Sequence, residues 1–216
     1  MGKRPGYGLT STFLSVEGVV YAAFLILDLT GQGGQTVSIK YAGILLCLAF
    51  ALTGGDRLVP LALALTAGAD WFLLVRNDHY AAGIALFLCV QTVYFLRLRR
   101  AGAGDGWPVR SGLALGLGAG VYALNMASPL NLAAALYFSQ LASNALLAWT
   151  LRGAHWRAFA LGLTLFAGCD ICVGLFNVLP AASPLYFPAS IGMWLFYLPS
   201  QVLIALSALP EKEEVK

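Results

Sequence analysis

The chain has 216 residues, 59% of them hydrophobic and only 11% charged, against roughly 25% charged in a soluble domain. With a mean hydropathy of +0.77, this composition excludes a soluble globular domain with a single anchor and indicates a polytopic membrane protein. The formal net charge of +3 is spread over short loops and forms no basic face, which excludes nucleic-acid binding.

A helix crosses a bilayer with about 20 apolar residues, and shorter segments are tolerated. Eight spans are expected, at 12–30, 38–53, 57–76, 80–98, 110–127, 130–151, 156–178 and 185–208. The first is too long for a signal-peptide core and no small-residue cleavage site follows it, so no cleavable leader is expected. The second is short and ends in the turn residues Thr53-Gly54-Gly55-Asp56. In the fifth, Gly112, Gly116 and Gly120 recur every fourth residue, giving a smooth face suited to close helix contact. Cys47, Cys89, Cys169 and Cys172 all fall in spans and read as reduced, buried small hydrophobes. The run Gly102 to Gly106, followed by Trp107-Pro108, is the clearest linker. Residues 102–108 therefore divide one membrane domain into four-helix halves, 1–101 and 109–216.

With the N-terminus inside, eleven of the thirteen Lys and Arg residues fall inside and only Lys40 and Arg76 outside. This satisfies the positive-inside rule and predicts that both termini are cytoplasmic.

The third and seventh spans contain Leu61-Ala-Leu-Ala-Leu-Thr-Ala-Gly-Ala-Asp70 and Leu161-Gly-Leu-Thr-Leu-Phe-Ala-Gly-Cys-Asp170, identical at six of ten positions. Four spans separate the two acids, so both helices run the same way, as in a parallel repeat about an axis normal to the membrane. Asp70 and Asp170 each lie 13 residues beyond an arginine, Arg57 and Arg157. At about 1.5 Å per residue that sets both roughly 20 Å from the cytoplasmic end. The fold expected is all-α: eight transmembrane helices in two parallel four-helix repeats, with the acids facing one another across a central cavity.

A carboxylate in hydrocarbon costs several kcal/mol unless it is paired, neutralised or wetted. Two such acids at matching places point to joint use. Arg76 is the one cation near either in sequence, and it lies toward the outer edge. Glu17 and Asp28 are expected near the two faces of the membrane, partly solvated. Other polar residues at membrane depth are Gln91 and Tyr94; Tyr137, Gln140 and Asn144, with Ser139 beside them; Asn125; and Tyr197 and Gln201. Hydrogen bonds between helices explain any single one of Ser139, Asn125 or Gln140. Lys40, at the head of the second span, could snorkel outward or meet an anion.

Two close carboxylates in a low dielectric do not readily both ionise, so one proton is held and the pair becomes an acid beside a base. That suits hydrolysis of a bond that breaks after protonation: a glycoside, acetal, vinyl ether or amide. His79 and His155 are too few, and on opposite faces, for a three-histidine zinc site. No Gly-x-Ser-x-Gly nucleophile motif is present.

The arrangement resembles the YhhN-like lysoplasmalogenases over Lys40 to Ser207. The family's first acidic motif is similar to Leu65-Thr-Ala-Gly-Ala-Asp70, and its second to Leu165-Phe-Ala-Gly-Cys-Asp170. Tyr80, Gly83, Phe87, Gln91 and Tyr94 fall on the spacings that follow the first motif. Tyr197, Gln201 and Leu203-Ile204-Ala-Leu-Ser207 resemble the closing pattern. Ala69 stands where the family has Gly, Gln91 where it has His, and Cys169 where it has Ser. The resemblance implies a bacterial inner-membrane ether hydrolase without a cofactor. It would cleave the vinyl ether of a lysoplasmalogen to a fatty aldehyde and a glycerophospho-base. Asp70 and Asp170 would be catalytic. Lys40, Tyr80, Gln91, Tyr94, Tyr137, Asn144, Tyr197 and Gln201 would bind the lysophospholipid, and no protein partner is expected. A proton-coupled small-molecule carrier is the alternative that the repeat and the acids also fit. An intramembrane aspartyl protease ranks third, because its Gly-x-Gly-Asp and Pro-Ala-Leu motifs are missing.

Overall fold

The computed structural model describes residues 6–31 and 36–210. Lys3, Arg4, Lys212 and Lys216, which entered the charge count, lie outside the described residues. Those described form eight helices and no strand: α1 (Tyr7–Leu29), α2 (Val37–Ala51), α3 (Leu58–Asp70), α4 (Tyr80–Arg100), α5 (Trp107–Ala123), α6 (Pro129–Ala148), α7 (Ala154–Val178) and α8 (Tyr186–Leu206). A π-helical turn, Trp71–Arg76, continues α3. Five of these stretches are long and apolar enough to cross a membrane: Gly8–Leu29, Leu58–Arg76, Tyr80–Arg100, Ala154–Val178 and Tyr186–Leu206. The chain is a helical membrane protein, and helices suit it because lipid offers no partners to open backbone groups.

The helix ends follow local chemistry. Ser128 caps α6 by accepting a hydrogen bond from the Asn131 N–H, with Pro129 at the first helical position, where a missing donor does no harm. Gly106 takes φ +63° just before α5, a conformation that glycine adopts without strain. Asn77 and His79 also have positive φ, 51° and 50°, and turn the chain between the π-helical turn and α4.

Neighbours in sequence pack as hairpins: α1 on α2, α2 on α3, α3 on α4, α5 on α6, α6 on α7 and α7 on α8. Beyond these hairpins, α4 packs on α6, and α8 packs on α1, α2 and α3. Among the described residues α3 and α7 do not touch directly, so they flank the interior rather than each other. The tightest seam is α7 on α8. A Cβ on Gly162 would lie 2.8 Å from Ile204 Cγ1 and 3.0 Å from the Ser200 carbonyl.

Several sequence expectations change. The glycine face of α5 makes no close contact: a Cβ on Gly112, Gly116 or Gly120 would meet nothing within 4 Å. Helix α5 is peripheral; its backbone packs on α6, and the glycine face lies off that contact. Glu17 is not solvated but 3% exposed, and it accepts a hydrogen bond from the Cys47 thiol. Asp28 is also enclosed, in an ion pair with Lys40 at 2.8 Å and a hydrogen bond from Thr36. Arg76 pairs with Asp78, two residues away, rather than with Asp70.

The end of the bundle near Asp56 is held by Arg97. Its guanidinium meets Asp56 at 2.6 Å, donates to Ser207 Oγ and O, and stacks over Trp156 and Phe159. A buried cation is tolerated because every side of it is answered.

Candidate active site

Asp70 is the last residue of α3 before the π-helical turn. Such local widenings occur often where a helix presents a working side chain. Asp170 occupies the matching place in the repeat, but α7 continues unbroken past it to Val178. The two acid-bearing helices thus differ at the acids themselves.

Asp70 is 5% exposed and accepts a hydrogen bond from Tyr197 Oη of α8 at 2.6 Å. Tyr137 of α6 faces Asp170, although neither the Tyr137 hydroxyl nor the enclosed Asp170 Oδ2 makes a well-formed hydrogen bond. Each acid is therefore attended by a tyrosine from another helix. Asp70 and Asp170 interact electrostatically, and Cys169 feels both. The hydrogen bond that Asp70 Oδ2 accepts comes from Tyr197, and Asp170 Oδ2 has no partner.

Aromatic rings wall this interior. Phe87 stacks on Tyr137 at 5.4 Å and meets Phe166 edge-on at 5.6 Å. Phe166 in turn meets Tyr197 at 5.5 Å, and Trp194 meets Tyr197 at 5.7 Å. Beyond Trp194 lies the Lys40 ammonium, 4.2 Å from its ring centre.

Buried polar atoms are nearly always satisfied, yet here Thr66 Oγ1, Gln91 Nε2, Tyr94 Oη and Gln201 Oε1 have no partner, as do Tyr137 Oη and Asp170 Oδ2. Thr66 lies one turn below Asp70 on α3, and Gln201 one turn below Tyr197 on the antiparallel α8, so both fall at one level under the Asp70–Tyr197 bond. Unanswered donors and acceptors at such a level suit a substrate oxygen or an ordered water.

The remaining expected site residues scatter. Gln91 and Asn144 pair with each other, Asn144 Nδ2 donating to Gln91 O and Oε1. Asn144 and Gln140 also accept from Arg110. Tyr80 is 46% exposed and its hydroxyl bonds Asn77 at the loop, apart from the acids. Lys40 is held by Asp28. Ser139 returns its hydroxyl to the Leu136 carbonyl of its own helix, and Asn125 ends α5 with φ 56°. Sequence reasoning missed the ring wall, although Phe87 stood in the spacing pattern and Phe166 in the repeat. It also did not foresee that Arg110 is covered, at 6% exposed. Among the described residues no three His, Cys, Asp or Glu side chains cluster as metal ligands would.

A helical membrane protein with one buried and one partly buried carboxylate, each beside a tyrosine hydroxyl in an aromatic-walled interior, is the class these features define. Residues 35–208 match the model of the YhhN family, and the chain belongs to that family. No curated protein and no solved structure matched.

Proposed function

We propose that this protein is an intramembrane ether hydrolase of the lysoplasmalogenase type. Its eight helices would all span the bacterial inner membrane as two parallel four-helix repeats, with both termini cytoplasmic. The observation that carries the reading is the pair of acids with their tyrosines: Asp70 under Tyr197 and Asp170 facing Tyr137, inside one ring-lined interior in a member of the YhhN family.

The chemistry follows from that arrangement. One aspartic acid donates its proton to the β-carbon of the vinyl ether, leaving an oxocarbenium ion. Water adds to that cation with loss of a proton to the other carboxylate, giving a hemiacetal. The hemiacetal collapses to a fatty aldehyde and the glycerophospho-base, and the proton balance is restored. No nucleophile other than water is needed. The carboxylate stabilises the cation in a low dielectric, and the faces of Phe87, Phe166 and Trp194 suit a transient positive charge. The Tyr197 hydroxyl sets the orientation of Asp70, and Thr66 and Gln201 offer polar atoms to the water.

The test is aldehyde release from lysoplasmalogen by the purified protein in detergent or nanodiscs. Stoichiometric aldehyde and glycerophospho-base support the reading. Intact lipid, with instead a pH-driven accumulation of solute in proteoliposomes, would replace it with the carrier.

A further inference from the structure

Arg110, at the start of α5, is a buried cation with neutral hydrogen-bond partners. Its Nε donates to the Asp105 carbonyl at 2.8 Å, Nη1 to Gln140 Oε1 at 2.7 Å and Nη2 to Asn144 Oδ1 at 2.6 Å. The guanidinium also lies 4.4 Å from the Phe95 ring centre. A guanidinium carries five N–H donors, so two have no acceptor among these. Beside it a cleft of about 410 Å³ opens between α4, α5 and α6. Gln91, whose Nε2 is buried without a partner, lines the same cleft. The unspent groups of Arg110 and Gln91 are thus donors, beside a positive charge that the Asp105 carboxylate also faces, and donors of this kind suit a phosphate.

The cleft's rim is opposite in character. It carries the carboxylate of Asp105 and the indole of Trp107. Asp105 uses Oδ1 to accept from the Trp107 N–H, and Trp107 is 71% exposed. A carboxylate beside an open indole is the complement of an ammonium or quaternary ammonium. A donor floor and a cation-accepting rim in one cleft fit a zwitterion.

We propose that this cleft binds the phospho-base head group of a lysophospholipid, with its phosphate on Arg110 and Gln91 and its amine on Asp105 and Trp107. The inference rests on the hydrolase reading for the identity of the lipid, and it adds the feature that selects the head. Along α6, Gln140 lies three residues from Tyr137, about 4.5 Å of helix rise. On α6, therefore, the cleft begins about one turn from the tyrosine that faces Asp170.

Binding is measured with saturated-ether analogues, which lack the vinyl bond and so need no turnover. The probes are alkyl-lysophosphocholine, alkyl-lysophosphatidic acid and alkylglycerol, read by calorimetry on the detergent-solubilised protein. Arg110→Gln should weaken both phosphate-bearing lipids about tenfold or more and leave alkylglycerol unchanged, with Arg110→Lys intermediate. Asp105→Asn, a change at the cleft's rim, should weaken only the phosphocholine lipid. Equal weakening of all three lipids, or no change with either Arg110→Gln or Asp105→Asn, overturns the proposal. Aldehyde release from lysoplasmalogen is followed separately in the same preparations. Head-selective binding without aldehyde release would leave this site standing and remove the hydrolase reading.

Discussion

Tyr197 donates its hydroxyl to Asp70 Oδ2 at 2.6 Å across 127 residues of sequence. This bond joins the first half of the chain to the last helix at the point where α3 changes to a π-helical turn. It fixes one of the two acids while leaving Oδ2 of the other without a hydrogen bond. Each acid thus has a tyrosine from another helix beside it, Tyr197 at Asp70 and Tyr137 at Asp170.

Tyr197→Phe removes that hydrogen bond and almost nothing else. A charge-assisted hydrogen bond contributes about 1.5–3 kcal/mol, so kcat should fall roughly ten- to hundredfold with little change in KM. Tyr137→Phe should cost less, because its hydroxyl makes no well-formed bond. Steady-state aldehyde kinetics on both variants checks the order. The dependence of kcat/KM on pH should be bell-shaped in the parent, as for any acid working beside a base.

Arg97 should matter for stability rather than chemistry. Removing one partner of a buried ion pair costs about 3–5 kcal/mol. Arg97 meets Asp56, Ser207 and two aromatic rings. Arg97→Gln should therefore lower the unfolding temperature in detergent markedly through its lost hydrogen bonds and ring contacts, and Asp56→Asn should lower it too, because it leaves the enclosed guanidinium, 3% exposed, without its carboxylate. Both should retain the parent's KM wherever they remain folded.

Lys40 and Asp28 form the second enclosed pair. Lys40→Met and Asp28→Asn should each destabilise by strandng one polar partner, whereas the double variant should recover part of the loss. Thermal unfolding of the four proteins gives the coupling. If Lys40 instead holds substrate, Lys40→Met would raise KM without lowering the unfolding temperature.

Two glycine substitutions of identical chemistry should diverge. At Gly162 an added methyl would press on Ile204 and the Ser200 carbonyl, costing about 1–3 kcal/mol. At Gly116 it would meet nothing within 4 Å, and alanine should stabilise the helix by up to about 1 kcal/mol. Comparison of the two unfolding temperatures decides the matter.

Much of the scaffold was legible in the residues. Apolar length placed the helices closely: spans expected at 57–76 and 80–98 correspond to Leu58–Arg76 and Tyr80–Arg100. The repeated decapeptide singled out Asp70 and Asp170. What periodicity cannot supply is the partner across the bundle. It put Tyr197 and Gln201 on one face of a helix, but nothing local said that this face meets α3. The glycines of α5 illustrate the converse. Their spacing licenses close packing, yet the face they form lies off the contact that α5 makes with α6. Glu17 was read as solvated because position along a span was taken for depth, whereas burial depends on which neighbours cover the residue; the cover of Arg110 was invisible for the same reason. Gln140 and Asn144 cover Arg110, and Cys47 covers Glu17. The π-helical turn after Asp70 has no marker in the repeat, which is as regular there as at Asp170.

The central claim is that Asp70 and Asp170 together break the vinyl ether, and single-turnover aldehyde release by Asp70→Asn and Asp170→Asn tests it most directly. The account predicts that each variant elutes and unfolds like the parent, and still binds the saturated-ether lysolipid, yet releases aldehyde at least about a thousandfold more slowly. Turnover near the parental rate in either folded variant would contradict it.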